Sequence, residues 1–276
     1  MEKLLVDVGG RNLAVTIDGQ GENTIVFLHG LTGHQHNFNH LVQLLKEDFQ
    51  TVTVDLAGRG ESDPAETSSV LQHAKDVQVL LDKLGISEPI LIGHSMGAFI
   101  TSIIASEHPY VKGAVYLDGA CKVDPILSVM LQPSLGRLQK TYETKEQYLQ
   151  EMRLLYTMLG INWSEEIEQA VLYEVVETDG IWKSKMNARN INEDLQGFSD
   201  YNPKAIAEKV ECPVLLVTAT GTIGPLPALF TPPLFEDTKN YTKNIETFIT
   251  TSNHYTMVGD HQPDLNQVIY DFVKSL

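Results

Sequence analysis

The pentapeptide Gly93-His94-Ser95-Met96-Gly97 constrains this chain more than any other stretch. It fits G-x-S-x-G, a sharp strand-to-helix turn that carries a nucleophile at its tip. The flanks agree: Pro89-Ile90-Leu91-Ile92 reads as a short buried strand, and Ala98 to Glu107 as a helix with few breakers. In such a turn the serine backbone is forced into a sparsely populated conformation that holds Oγ at an exposed corner. Gly93 and Gly97 are required because a side chain at either place would meet the neighbouring strand or helix. The helix behind Ser95 turns its free amides and positive dipole end toward the place where an oxyanion would form. The competing reading is a glycine-rich turn whose serine only caps a helix.

Strand and helix signals alternate around this turn. Residues 3–8 and 12–17 read as β-branched strands joined at Gly9-Gly10, and Thr24 to Leu28 is an apolar run fit for a strand buried on both faces. Asn37 to Leu45 reads as an amphipathic helix and 49–54 as a strand. A helix is expected over 68–84, where Val70, Leu71, Ala74, Val77, Leu80, Leu81 and Leu84 recur at helical spacing and Gly85 ends the run. Residues 113–118 make a sixth strand. From 119 to 210 helical patterns dominate, at 124–139, 143–159, 163–177 and 203–210, with no clear strand. Strands return at 212–218 and 244–250, and a helix over 263–276 closes the chain. The expected architecture is α/β: a mostly parallel eight-stranded sheet flanked by helices. Residues 1–118 and 211–276 form the core, and 119–210 an inserted helical cap.

The charge balance narrows the partners. With 36 acidic against 20 basic residues, the net charge of −16 argues against nucleic acid or an anionic membrane. No apolar run approaches the roughly 18 residues of a membrane span. Met1 to Asp7 lacks the apolar core of a signal peptide, and Cys121 and Cys212 form no spaced framework. The expectation is a cytoplasmic protein with reduced thiols.

Three further motifs surround the elbow. His29-Gly30-Leu31-Thr32-Gly33 follows the third strand, Asp55 to Ser62 spells D-x-x-G-x-G-x-S, and His254 stands between the last strand and the last helix. Together with the elbow, these resemble the α/β-hydrolase family, and in particular its capped serine carboxylesterases and lactonases. The resemblance implies Ser95 as nucleophile, His254 as general base and then general acid, and the amides of Leu31 and Met96 as the oxyanion hole. The glycines of the D-x-x-G-x-G-x-S stretch are scaffold. His94 is expected to point away from the nucleophile.

The acid departs from the family pattern. Its usual position after the seventh strand reads Gly224, within Gly221-Thr222-Ile223-Gly224-Pro225. Asp118, after the sixth strand, is the favoured candidate; Glu236 or Asp237 reached by a longer loop, or a dyad without an acid, are the alternatives. His34, His36 and His40 raise a metal reading, but the stretch lacks the aspartate such sites need, so no metal and no cofactor is expected. Gly30, Leu31, Tyr156 and Trp182 are the candidate substrate contacts. The implied reaction is hydrolysis of a small-molecule carboxylic ester or lactone, acyl-homoserine lactones among them. A carbon–carbon bond hydrolase holding a substrate carboxylate through Arg137, Arg153 or Arg189, a small-ligand receptor retaining the triad, and a peracid-forming oxidant are the competing classes.

Overall fold

The computed structural model describes residues 1–124 and 127–276, without the side chains of 128, 132 and 133. Among the described residues eleven strands appear in chain order: β1 Glu2–Asp7, β2 Asn12–Asp18, β3 Thr24–Leu28, β4 Gln50–Val54, β5 Ile90–His94, β6 Gly113–Leu117, β7 Thr141–Tyr142, β8 Val175–Thr178, β9 Ile181–Ser184, β10 Val214–Ala219 and β11 Ile245–Thr250. Eight of them form one sheet in the order β1-β2-β4-β3-β5-β6-β10-β11. Pairing is antiparallel for β1–β2 and β2–β4, and parallel from β4 to β11.

The central strands are apolar throughout because helices cover both faces. In β3 the alternation is visible residue by residue. Ile25 and Phe27 pack with Phe38, Leu41, Ile269 and Phe272 on one side. Val26 and Leu28 pack with Val77, Leu80, Phe99 and Ile103 on the other. The helix Val70–Leu84 starts where the Ser69 hydroxyl accepts from the Gln72 amide and stops at Gly85, whose φ of 69° suits glycine. Leu71, expected on its apolar face, points to solvent.

Between β6 and β10 the chain leaves the sheet. The expectation of uninterrupted helices there is corrected by a second, three-stranded sheet, β7-β9-β8. Residues 175–184 form a hairpin turned at Asp179 and Gly180, both with positive φ. Strands this short carry too few residues for a period to register. Of the helix expected over 124–139, residues 125 and 126 lie outside the described residues; the remainder is broken into Leu127–Met130, Gln132–Gly136 and a 3₁₀ turn Arg137–Gln139. The helices Lys145–Met158, Glu165–Tyr173 and Pro203–Ala207 lie within the expected ranges, whereas Ala188–Gly197 was not foreseen. The insertion has its own small core of Tyr142, Tyr148, Met152, Val171 and Val175. Among the described residues no helix is long and apolar enough to cross a membrane.

Candidate active site

Strand β5 and the helix Met96–Glu107 meet at Ser95, whose backbone sits at φ 53°, ψ −120°. That strain, of order 1–3 kcal/mol for a non-glycine residue, is held by the packing around it. A Cβ on Gly97 would stand 1.8 Å from the Leu28 carbonyl oxygen, and one on Gly93 would stand 2.1 Å from that of Gly97. The two glycines therefore let strand and helix close to contact. Met96 opens the helix, where an amide has no intrahelical acceptor.

Asp118 follows β6 with a φ of 47° and is fully buried. Its amide donates to the Val217 carbonyl, and its Oδ1 accepts from the Ala219 amide at 3.1 Å. The other oxygen, Oδ2, lies 2.7 Å from Nδ1 of His254. A carboxylate facing Nδ1 fixes the tautomer with the proton on that nitrogen and leaves the Nε2 lone pair free. Glu236 and Asp237 lie instead in the first turn of the helix Glu236–Tyr241, where Glu236 is exposed beside Lys239.

His254 is held from two further directions. His94 donates through Nε2 to the His254 carbonyl at 2.8 Å, and burial holds the His94 ring well below the usual histidine range, so it stays neutral. His94 thus braces the histidine loop, a contact that the expectation of a ring pointing away from the nucleophile did not specify. Asn253 accepts from the amides of Tyr255 and Thr256 through Oδ1 and donates to the carbonyls of Leu159 and Thr222 through Nδ2. No pattern in the sequence marks Asn253 for this.

The loop after β3 is pinned with equal care. His29 is buried and kept neutral by that burial. Its Nε2 accepts from the Leu56 amide at 3.0 Å, so its Nδ1 carries the proton and donates to the Gly30 carbonyl at 2.8 Å. The Gly33 amide donates to the same oxygen. The Gly30–Leu31 peptide is trans, so fixing its carbonyl aims the Leu31 N–H the opposite way.

Ser95, His94, His254, Gly30 and Leu31 line one cavity of about 120 Å³, comparable to the roughly 150 Å³ of engineered apolar cavities that hold benzene. Among the described residues the Ser95 hydroxyl makes no hydrogen bond, and catalytic contacts of this kind commonly tighten only around substrate. Leu131, Leu155, Leu159, Phe198 and Phe230 give the cavity an apolar wall. Arg137, Glu174, Tyr156 and His36 are among its polar lining. Arg137 pairs with Glu174, and His34 Nε2 lies 3.4 Å from the other Glu174 oxygen. Burial alone would raise the Glu174 carboxyl, but Arg137 and His34 outweigh it and hold it at about 2.

Of the four candidate substrate contacts, Gly30, Leu31 and Tyr156 line this cavity. Trp182 does not; it lies in β9 opposite Tyr142 and Glu177, packed on the insertion core. The candidate metal histidines diverge. His34 turns to Glu174, His36 meets the Tyr173 ring edge-on at 4.5 Å, and His40 lies 6.3 Å from the His261 ring.

A family profile described as the alpha/beta hydrolase fold matches residues 23–222. A 2-(acetamidomethylene)succinate hydrolase of Mesorhizobium japonicum is 35% identical over 115 residues, 41% of either chain. An sn-1-specific diacylglycerol lipase, ABHD11, of Danio rerio is 26% identical over 204 residues, 67% of this chain and 61% of the lipase. The matched stretch thus spans less than two thirds of each of these relatives, 41% of the first and 61% of the second. The crystal structure of E-2-(acetamidomethylene)succinate hydrolase superposes with a TM-score of 0.86 over 99% of both chains at 21% identity, a likeness of fold.

Proposed function

The chain belongs to the alpha/beta hydrolase fold family, and on that footing we propose that it hydrolyses small, uncharged carboxylic esters or lactones through an acyl-enzyme on Ser95. The observation that carries this reading is His254, backed by the buried Asp118, lining the same cavity as Ser95 at the helix N-terminus.

In this mechanism the Ser95 Oγ attacks the carbonyl carbon while its proton passes to His254 Nε2. The negative charge that develops on the carbonyl oxygen is met by the Leu31 and Met96 amides. His254 returns the proton to the leaving alkoxide, the carbon–oxygen bond breaks, and the acyl group stays on Ser95. Water then attacks the acyl carbon and gives its proton to Nε2, and the acid leaves as Oγ recovers the proton. Asp118 holds the ring in register and stabilises the imidazolium of both steps.

Two features support an uncharged, small substrate. The cavity is small and mostly apolar, and among the described residues lining it Arg137 is the one Lys or Arg, already neutralised by Glu174. The relative named for a succinate derivative acts, by that name, on a dicarboxylate. The paired guanidinium here disfavours such a charge.

The test compares p-nitrophenyl butyrate hydrolysis by wild type, Ser95→Ala and His254→Ala, with fluorophosphonate labelling alongside. The reading expects turnover and labelling by wild type and the loss of both in Ser95→Ala. Labelling without turnover favours a receptor that retains the triad. Unchanged labelling of Ser95→Ala removes Ser95 as nucleophile.

A further inference from the structure

We propose that Asp194, on the insertion helix Ala188–Gly197, is a positioning residue for the oxyanion hole, acting through Arg59 on the Leu31 peptide. The inference rests on the hydrolase reading above and adds a requirement to it.

Arg59 belongs to the D-x-x-G-x-G-x-S stretch and is fully buried. Its Nε and Nη2 both donate to the Leu31 carbonyl, at 3.1 and 3.0 Å. Nη1 donates to the Ala57 carbonyl at 2.9 Å. Nη2 also lies 2.6 Å from Asp194 Oδ2. The same carboxylate is reached by His73 Nε2 at 3.0 Å and by the Ser68 hydroxyl at 2.7 Å. His73 Nε2 is 3.4 Å from Arg59 Nη1, so the charged and titratable groups here form one closed cluster.

The two peptide planes that meet at the Leu31 Cα are therefore both held. The preceding plane is fixed within the core, by His29 and Gly33 on the Gly30 carbonyl. The following plane is fixed by Arg59, whose charge is balanced by a carboxylate of the insertion. A buried guanidinium is a costly way to fill space, since an apolar side chain would fill it as well. What an apolar side chain lacks is the planar fork that grips one carbonyl with two N–H groups. The Leu31 N–H, aimed by the preceding plane, is thus braced at its Cα from the other side through Arg59 and Asp194, and the oxyanion hole is held from both sides only when the helix Ala188–Gly197 is seated on the core.

Removing one partner alone leaves a buried, unbalanced charge and risks the fold. The informative variant replaces both, Arg59→Met with Asp194→Leu, which removes the charges together and keeps an apolar filling. Arg59→Lys is the second variant; it keeps a cation opposite Asp194 but cannot fork onto Leu31. The readouts are Tm, kcat and KM for p-nitrophenyl butyrate, and Ki for a trifluoromethyl ketone, whose Ser95 hemiketal places an oxyanion in the hole. Both variants are expected to lose roughly 10- to 100-fold in kcat with KM within about threefold, the cost of a misplaced donor. The trifluoromethyl ketone should weaken by a similar factor. A paired variant with wild-type Tm, kcat and Ki overturns the proposal and leaves the pair purely structural. So does a rise in KM at unchanged kcat. Wild type inert to both ester and ketone overturns instead the hydrolase reading on which this rests.

Discussion

His254 presents Nδ1 to Asp118 Oδ2 at 2.7 Å, and both residues are almost completely shielded from water. An amide in place of that carboxylate turns an acceptor into a possible donor and releases the tautomer that leaves Nε2 free. Asp118→Asn is expected to lower kcat by up to roughly 10⁴, the loss known from the serine-protease triad. Glu236→Gln, on the exposed helix, is expected to stay at the wild-type rate. Side-by-side ester hydrolysis checks both; a near-wild-type Asp118→Asn would move the acid elsewhere.

The fold was legible because its signals are local. An apolar run such as Thr24 to Leu28, a capped helix over Val70–Leu84, and the glycines of the elbow each carry their reason within a few residues. Much of the site's support was not. His94 holding the His254 carbonyl, Asn253 tying that loop to Leu159, and Arg59 gripping Leu31 all bridge long separations, and no residue type announces such a partner. The hairpin of β8 and β9 escaped for another reason. Each four-residue strand carries its two apolar residues side by side rather than alternating, so no strand period registers, and the helix expected over 163–177 overran the start of β8. Trp182 was misplaced with them, taken as a candidate substrate contact of the insertion rather than a cross-strand partner of Tyr142.

The elbow glycines differ sharply from an unconstrained one. Gly97→Ala places a methyl 1.8 Å from the Leu28 carbonyl oxygen, in a backbone that has nowhere to go. It is expected to cost about 4 kcal/mol or more, enough to prevent soluble expression. Gly136→Ala meets nothing within 4 Å and lies in a short helix, so it should be neutral or stabilise by up to about 1 kcal/mol. Soluble yield, and thermal unfolding of whatever protein is obtained, decides; a soluble Gly97→Ala with the Tm of Gly136→Ala would contradict the packing described here.

Burial lowers both His29 and His94 well below the usual histidine range. In the unfolded chain each takes up a proton as pH falls through about 6.5, whereas the folded protein resists. Their contribution is therefore present above pH 6.5 and lost as pH drops below it, by up to about 1.4 kcal/mol per pH unit for each ring. The carboxyl of Glu174, held at about 2, contributes only further down, since its stability is lost from about 4.5 toward that value. Urea denaturation at pH 7.5, 6.5 and 5.5 should show stability falling across the lower step, and His94→Gln should flatten part of it. A curve already flat in wild type would sink the assignment of neutral, buried rings.

Arg137 and Glu174 pair in the cavity lining, so on the proposed reading a bound acyl group meets a neutral pair. With the carboxylate in place, a substrate carboxylate approaching Arg137 meets a neutral pair and the repulsion of Glu174. Glu174→Gln keeps the volume and leaves the guanidinium unbalanced at the cavity wall. A substrate carboxylate would then be its best available partner, a charge-assisted contact of about 1.5–3 kcal/mol. Mono-p-nitrophenyl glutarate should therefore gain on p-nitrophenyl butyrate by roughly 10- to 100-fold in the ratio of kcat/KM values, the same energy expressed as a rate ratio. Because breaking a buried pair can cost about 3–5 kcal/mol, the comparison is made at a temperature where the variant is folded by circular dichroism. The ratio is internal to one enzyme, so a partly unfolded sample lowers both rates and leaves it unchanged. A ratio equal to that of wild type would mean that Arg137 does not reach the acyl group, and the preference for uncharged substrates would need another source.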